Sequence, residues 1–96
     1  MASTYSKRLF DKSIRRIPKA YIRRVFNFIA IIEEAHNAQD IIRIKDIKAI
    51  RGYHDFYRYR IGEYRIGIEI DTTNDSVIFH YVGTRGDFYK HFPPKS

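Results

Sequence analysis

The chain has 96 residues, 44% of them hydrophobic and 16% aromatic. That is enough apolar material for one packed domain spanning 1–96, and too little chain for a second. Eighteen Lys and Arg against eleven Asp and Glu give a formal charge of +7, and there is no cysteine; disulfide scaffolds and cysteine-based zinc sites are therefore excluded, and the basic excess points to a polyanion or an acidic protein as partner.

Residues 1–24 carry eight Lys or Arg against Asp11 alone. No apolar run follows these first charges, so the N-terminus does not read as a signal peptide. Tyr5 to Phe10 predicts a short edge strand leading into a helix that starts near Asp11 or Ser13. Pro18 interrupts the helical pattern at Ile17 and predicts a turn before a second helix.

From Lys19 to Asn37 the residues Ile22, Val25, Phe26, Ile29, Ile32 and Ala35 recur at three- and four-residue steps, the mark of an amphipathic helix. Phe28 and Ile31 widen that stripe, enough for a partner to cover part of it. The apolar run Val25 to Ile32 is far too short to span a bilayer. A soluble cytoplasmic domain with no membrane partner is the expectation. Arg15, Arg16, Lys19, Arg23 and Arg24 form a basic surface suited to solvent, to RNA backbone or to an acidic partner.

Residues 38–52 read as a connecting segment closed by Gly52. The period then switches to two. Tyr57, Tyr59 and Ile61 alternate with Arg58 and Arg60, and Gly62-Glu63 suits a two-residue type II′ hairpin loop. Tyr64, Ile66, Ile68 and Ile70 give the return strand its apolar face. A third strand runs from Ser76 to Val82 after the polar loop Thr72-Thr73-Asn74-Asp75. The tail from Gly83 ends in Pro93-Pro94. The predicted architecture is α+β: strand, helix, helix, then three strands, with both helices packed on one face of a mainly antiparallel sheet.

Counting outward from Gly62-Glu63 sets Ile61 opposite Tyr64, Arg60 opposite Arg65, Tyr59 opposite Ile66 and Arg58 opposite Gly67. One face of the hairpin is then Tyr and Ile, and the other presents Arg58, Arg60 and Arg65. Like charges directly opposite in a sheet are destabilising, so an anion between Arg60 and Arg65 would relieve a real strain. Gly67 beside Arg58 leaves a gap where a ligand could approach. Arginine's fork of donors fits phosphate bidentately.

The stretch Tyr57-Arg58-Tyr59-Arg60-Ile61-Gly62-Glu63-Tyr64-Arg65-Ile66, followed by Val82-Gly83-Thr84-Arg85-Gly86-Asp87-Phe88-Tyr89, resembles the core of the RelE/ParE superfamily of bacterial toxins. Within it, the match is to the RelE-like toxins of type II toxin–antitoxin systems. The motif match covers residues 47–92; the N-terminal half agrees in pattern only. The resemblance implies a toxin that enters the ribosomal A site and cuts mRNA by attack of a ribose 2′-hydroxyl on the adjacent phosphorus, with no metal or other cofactor.

By position, it assigns Arg58 and Arg60 to the family's paired basic residues, Arg65 and Arg85 to the phosphate and Tyr89 to the base or the 2′-hydroxyl. Arg51 and Lys90 join Arg58 and Arg60 as RNA contacts. The implied partners are the ribosome, mRNA and a cognate antitoxin, in a toxin–antitoxin hetero-oligomer. A ParE-like toxin that inhibits DNA gyrase without cleavage, or a catalytically inactive RNA-binding relative, would share the fold.

One departure from the family stands out. RelE-like enzymes often carry Lys at the paired positions, and Lys can give up its proton among other cations. Arg58 and Arg60 stay protonated. His91 and His54 are then the candidate bases, since imidazole titrates near neutrality. His54 also suits an exposed loop. His80, mid-strand between Phe79 and Tyr81, reads as a packed histidine, and His36 as a cation at a helix C-terminus.

Overall fold

In a computed structural model, residues 2–94 are described. They form one five-stranded sheet with helices on both faces. The elements are β1 (Ser3–Ser6), α1 (Arg8–Ile14), α2 (Lys19–Glu34), α3 (Ala38–Ile42), β2 (Ile47–Ala49), β3 (Phe56–Ile61), β4 (Tyr64–Asp71), β5 (Ser76–Thr84) and α4 (Arg85–His91). The strand order is β1-β5-β4-β3-β2, antiparallel except where β1 runs parallel to β5.

The predicted strand–helix–helix–three-strand frame is present, with corrections at its edges. β1 begins at Ser3 and ends at Ser6, and Leu9 and Phe10 lie in α1 instead. Phe10 turns inward, its ring 5.5 Å from Phe79. The second helix starts at Lys19 as expected, with Pro18 as the preceding residue whose carbonyl accepts from the Tyr21 and Ile22 amides. It stops at Glu34 because Ala35 turns extended. His36 therefore lies beyond the helix end rather than on its last turn.

Of the α2 stripe expected from the sequence, Ile22, Ile29 and Ala35 pack half-buried against the core. Val25, Phe28 and Ile32 are the buried residues of the helix, whereas Phe26 is 55% and Ile31 51% exposed. Phe28, by contrast, lies in the core, its ring stacked on Tyr59 at 3.8 Å and 7°. Tyr21 leans on Tyr64 next to it.

The segment 38–52 is not merely a connection. Asn37 accepts a hydrogen bond from the Asp40 amide at 2.9 Å and so caps α3, which drives Ala38 and Ile41 into the core. After it, β2 pairs with β3, setting Ile47 against Tyr59, Lys48 against Arg58 and Ala49 against Tyr57.

The hairpin register is as counted: Ile61 to Tyr64, Arg60 to Arg65, Tyr59 to Ile66 and Arg58 to Gly67. Gly62 sits at φ 57 while Glu63 keeps a negative φ, the combination a type II′ turn requires. Past Gly67 the ladder shifts, with Ile68 opposite Phe79 and Gly67 opposite Tyr81. His80 is the extra residue, so His80 and Tyr81 share one partner, as in a β-bulge.

The bulge decides which side chains reach which face. Val77, Phe79 and Val82 enter the main core with Ile66, Ile68, Ile70 and the helices α1 to α3. Tyr81 belongs to a second, smaller core on the opposite face, with Ile50, Phe88 and Phe92. That second core is the work of α4, a helix within the tail that runs from Gly83 to Pro93-Pro94. Phe88 and Phe92, four residues apart, put one face of this short helix onto the sheet, and both are fully buried.

Candidate functional site

Alternation along β3 places Phe56, Arg58 and Arg60 on the α4 face of the sheet, with Arg65 and Gly67 beside them on β4. α4 starts at Arg85, immediately after Thr84 at the end of β5, and β5 runs beside β4 with Gly83 opposite Arg65. Arg85 and Tyr89 are one helical turn apart and flank the buried Phe88 on the same side. The Tyr89 ring rests edge-on against Phe88 at 4.9 Å, and the residue is 51% exposed.

Arg60, Arg65 and Arg85 line an open depression of about 620 Å³, together with Gly62, Glu63, Thr84 and Gly86. Arg60 Nε donates to the Gly62 carbonyl at 3.2 Å, which braces its side chain across the hairpin turn. Arg65 is half-buried, and its Nε is shut off from solvent with no hydrogen-bond partner. Burial lowers its pKa; Tyr89 opposes that shift, and Arg58, Arg60 and Arg85 reinforce it. All five predicted site residues other than His91 therefore converge on one field. Among the described residues, none of these four arginines has a carboxylate within ion-pair distance; the ion pairs that form involve histidines. A cation cluster left unneutralised, with one donor unsatisfied, is arranged to receive an anion.

The histidines lie elsewhere. His91 sits on the other flank of α4 from Arg85 and Tyr89. Its Nε2 is 3.6 Å from Asp87 Oδ1 and its ring lies 4.6 Å from Tyr81. Asp87 also accepts the Tyr81 hydroxyl, and burial together with this bond pushes the Tyr81 pKa up to about 12. His54 is exposed in the loop before β3, its Nδ1 2.9 Å from Asp55. His80 is packed as expected, between the rings of Phe56 and Phe92 and 2.9 Å from Glu69. Arg51 is exposed in the β2–β3 turn and Lys90 on the outer face of α4.

The gap predicted at Gly67 is not open to a ligand. Phe92 fills it: a β-carbon there would lie 2.6 Å from the ring. The residue that sequence reasoning missed is Lys48, directly opposite Arg58 on β2 and exposed. Its signal was the alternation of Ile47 and Ala49 around it, three residues too brief to read as a strand.

No family model matches the chain. It is 42% identical over 85 residues to Toxin RelE3 of Methanocaldococcus jannaschii, an alignment covering 88% of this chain and 91% of that protein. The chain belongs to the RelE toxin family. The RelE fold is equally evident in three dimensions. The RelB–RelE antitoxin–toxin complex from Methanococcus jannaschii superposes with a TM-score of 0.75 at 33% identity, covering 93% of this chain and 99% of that one. The archaeal RelE–RelB complex from Pyrococcus horikoshii gives 0.71 at 24% identity over 91% and 98%. As a RelE, this chain is a toxin of the type II class. No helix among the described residues is long and apolar enough to cross a membrane.

Proposed function

We propose that this RelE is a single-domain, cytoplasmic, ribosome-dependent mRNA endoribonuclease that blocks translation and is neutralised by a cognate antitoxin. The observation that carries the reading is the convergence of Arg58, Arg60, Arg65, Arg85 and Tyr89 on one face, with none of the four arginines ion-paired to a carboxylate among the described residues. A phosphodiester is the anion that such a forked, multiply cationic site suits.

In the reaction, a ribose 2′-oxygen attacks the adjacent phosphorus and the P–O5′ bond breaks, leaving a cyclic phosphate and a free 5′-hydroxyl. This chemistry needs no metal. Arg65 and Arg85 stabilise the charge that builds on the phosphoryl oxygens, in a site where Arg65 is already partly desolvated. Arg58 and Arg60 hold the strand. Tyr89 stacks on a base or orients the 2′-hydroxyl. His91, bound to Asp87 and Tyr81 on the far flank of α4, is outside the reacting centre; the 2′-hydroxyl proton passes to water in the open depression, and the leaving oxygen takes one back. Catalysis rests on position and charge.

The solved RelE relatives were captured with RelB antitoxins, which supports an antitoxin partner and a toxin–antitoxin hetero-oligomer here. Exposed Tyr5 and Phe26 beside the apolar groove between β1, α1 and α2 supply surface for such a partner.

Translation in vitro with purified protein, followed by primer extension on the mRNA, tests the reading. Ribosome-dependent cuts that disappear in Arg85→Ala are expected. Intact mRNA with inhibited gyrase supercoiling would make the protein a ParE-like inhibitor instead.

A further inference from the structure

The basic face does not stop at the depression. Lys48 lies directly across from Arg58, a second like-charge cross-strand pair beside Arg60 and Arg65. Two such pairs on one small sheet are each unfavourable without an anion between them. Lys48 also has no carboxylate within ion-pair distance among the described residues.

At the same end of β3 stands Tyr53, 52% exposed. Its ring lies 5.9 Å from Phe56, which packs 5.4 Å from Phe92 and 5.7 Å from His80. Phe92 in turn touches Phe88, and Phe88 touches Tyr89. Two exposed tyrosines therefore terminate one continuous run of rings, with three phenylalanines between them. An exposed ring backed by packed ones, as Tyr53 is by half-buried Phe56, is held stiller, which lowers the entropy lost when a flat partner stacks on it. α4 packs on β4 and β5 on this face, while Arg58 stays half-buried and Arg60 and Lys48 stay exposed on β3 and β2. The strip from Arg60 to Phe56 is about 13 Å long at 3.4 Å per residue, a span that a short stretch of extended single strand covers.

The geometry points to a second nucleotide-binding step at the far end of this strip, in which Tyr53 stacks on a base and Lys48 with Arg58 holds the phosphate beside it. This step rests on the RNA-cleaving reading and deepens it: the enzyme grips the strand flanking the scissile phosphate, and Tyr53 adds a preference at that flanking base. Two features required for single-strand binding, a basic track and an aromatic platform, are joined here, with Arg58 shared between this step and the site around Arg65.

The experiment is fluorescence anisotropy on the full chain with two labelled RNAs, a tetranucleotide and a nonanucleotide, each carrying 2′-deoxy sugars to prevent cleavage. Tyr53→Ala is expected to weaken nonanucleotide binding roughly tenfold while leaving the tetranucleotide unchanged, and Tyr53→Phe to restore it. Lys48→Ala should reduce the salt slope of nonanucleotide binding by about 0.7. Arg65→Ala should weaken both RNAs. Equal nonanucleotide affinity in wild type and Tyr53→Ala overturns the second step; if Arg65→Ala still weakens both RNAs, the cleavage reading survives that loss. Failure of the wild type to bind either RNA overturns the second step alone, because the cleavage reading requires the ribosome to present the mRNA and is judged by primer extension.

Discussion

The Phe92 ring occupies the space that a side chain on residue 67 would need, with its nearest atom 2.6 Å from where a Gly67 β-carbon would sit. Residue 67 is therefore glycine for the sake of α4, and α4 carries Arg85 and Tyr89. Gly67→Ala should force Phe92 outward, with a loss of about 1–3 kcal/mol of stability. Because the displaced helix holds two of the five proposed site residues, cleavage should fall by more than the unfolded fraction accounts for. Urea denaturation and primer extension on one preparation check this; a stable variant with full activity would detach Phe92 from the site.

Arg65 is expected to trade stability for function. Its Nε is buried without a partner and its neighbour across the ladder is Arg60. Arg65→Met keeps the stem and removes both penalties, so it should stabilise the fold by about 1 kcal/mol while lowering the cleavage rate by about two to three orders of magnitude. Thermal melting and single-turnover cleavage together test the pair of signs.

The two phenylalanines of α2 should behave oppositely. Phe28→Ala removes the ring stacked on Tyr59 and leaves a cavity, at a loss of about 3–5 kcal/mol. Phe26→Ala, on the exposed flank, should change stability by no more than about 0.5 kcal/mol, and its effect should appear only when antitoxin is added, as weaker complex formation in calorimetry.

Alkaline pH should loosen the anchor between α4 and β5. The Tyr81 pKa rises from 10.0 to about 12, so the fold favours the protonated phenol. Its contribution is complete below pH 10 and is lost as pH climbs from 10 through 12. Ultraviolet titration should show one tyrosine ionising near 12, absent in Tyr81→Phe, and that variant's melting temperature should decline less steeply above pH 10.

The α+β frame, the hairpin register and the basic face were all readable because the alternation of Tyr57 to Ile61 and the glycine at 62 leave one arrangement that buries the apolar side. The elements that escaped were short. A five-residue helix such as α3 shows no period, though Asn37 was an available cap, and β2 shows three residues. The missed α4 had its markers: Phe88 and Phe92 four apart, Asp87 in the first turn, Lys90 and His91 in the last, and Pro93 just beyond. Its consequence for the site was large. It set His91 beside Asp87 and Tyr81, on the flank of α4 away from Arg85 and Tyr89, and closed the gap at Gly67. No local pattern could have revealed either, since both depend on where the helix lands.

The bulge at His80 makes β5 change phase partway along. Upstream, odd-numbered residues face the large core; downstream, Val82 does. The strand thus behaves like a text with one inserted letter, legible in two frames, and the second frame is the one that launches Arg85. Removing His80 would restore a single frame and turn every later side chain through half a rotation. The arginine at the head of α4 would then leave the sheet on the side where α1 and α2 already lie. One supernumerary residue thus sets which surface of the protein carries Arg85 and Tyr89.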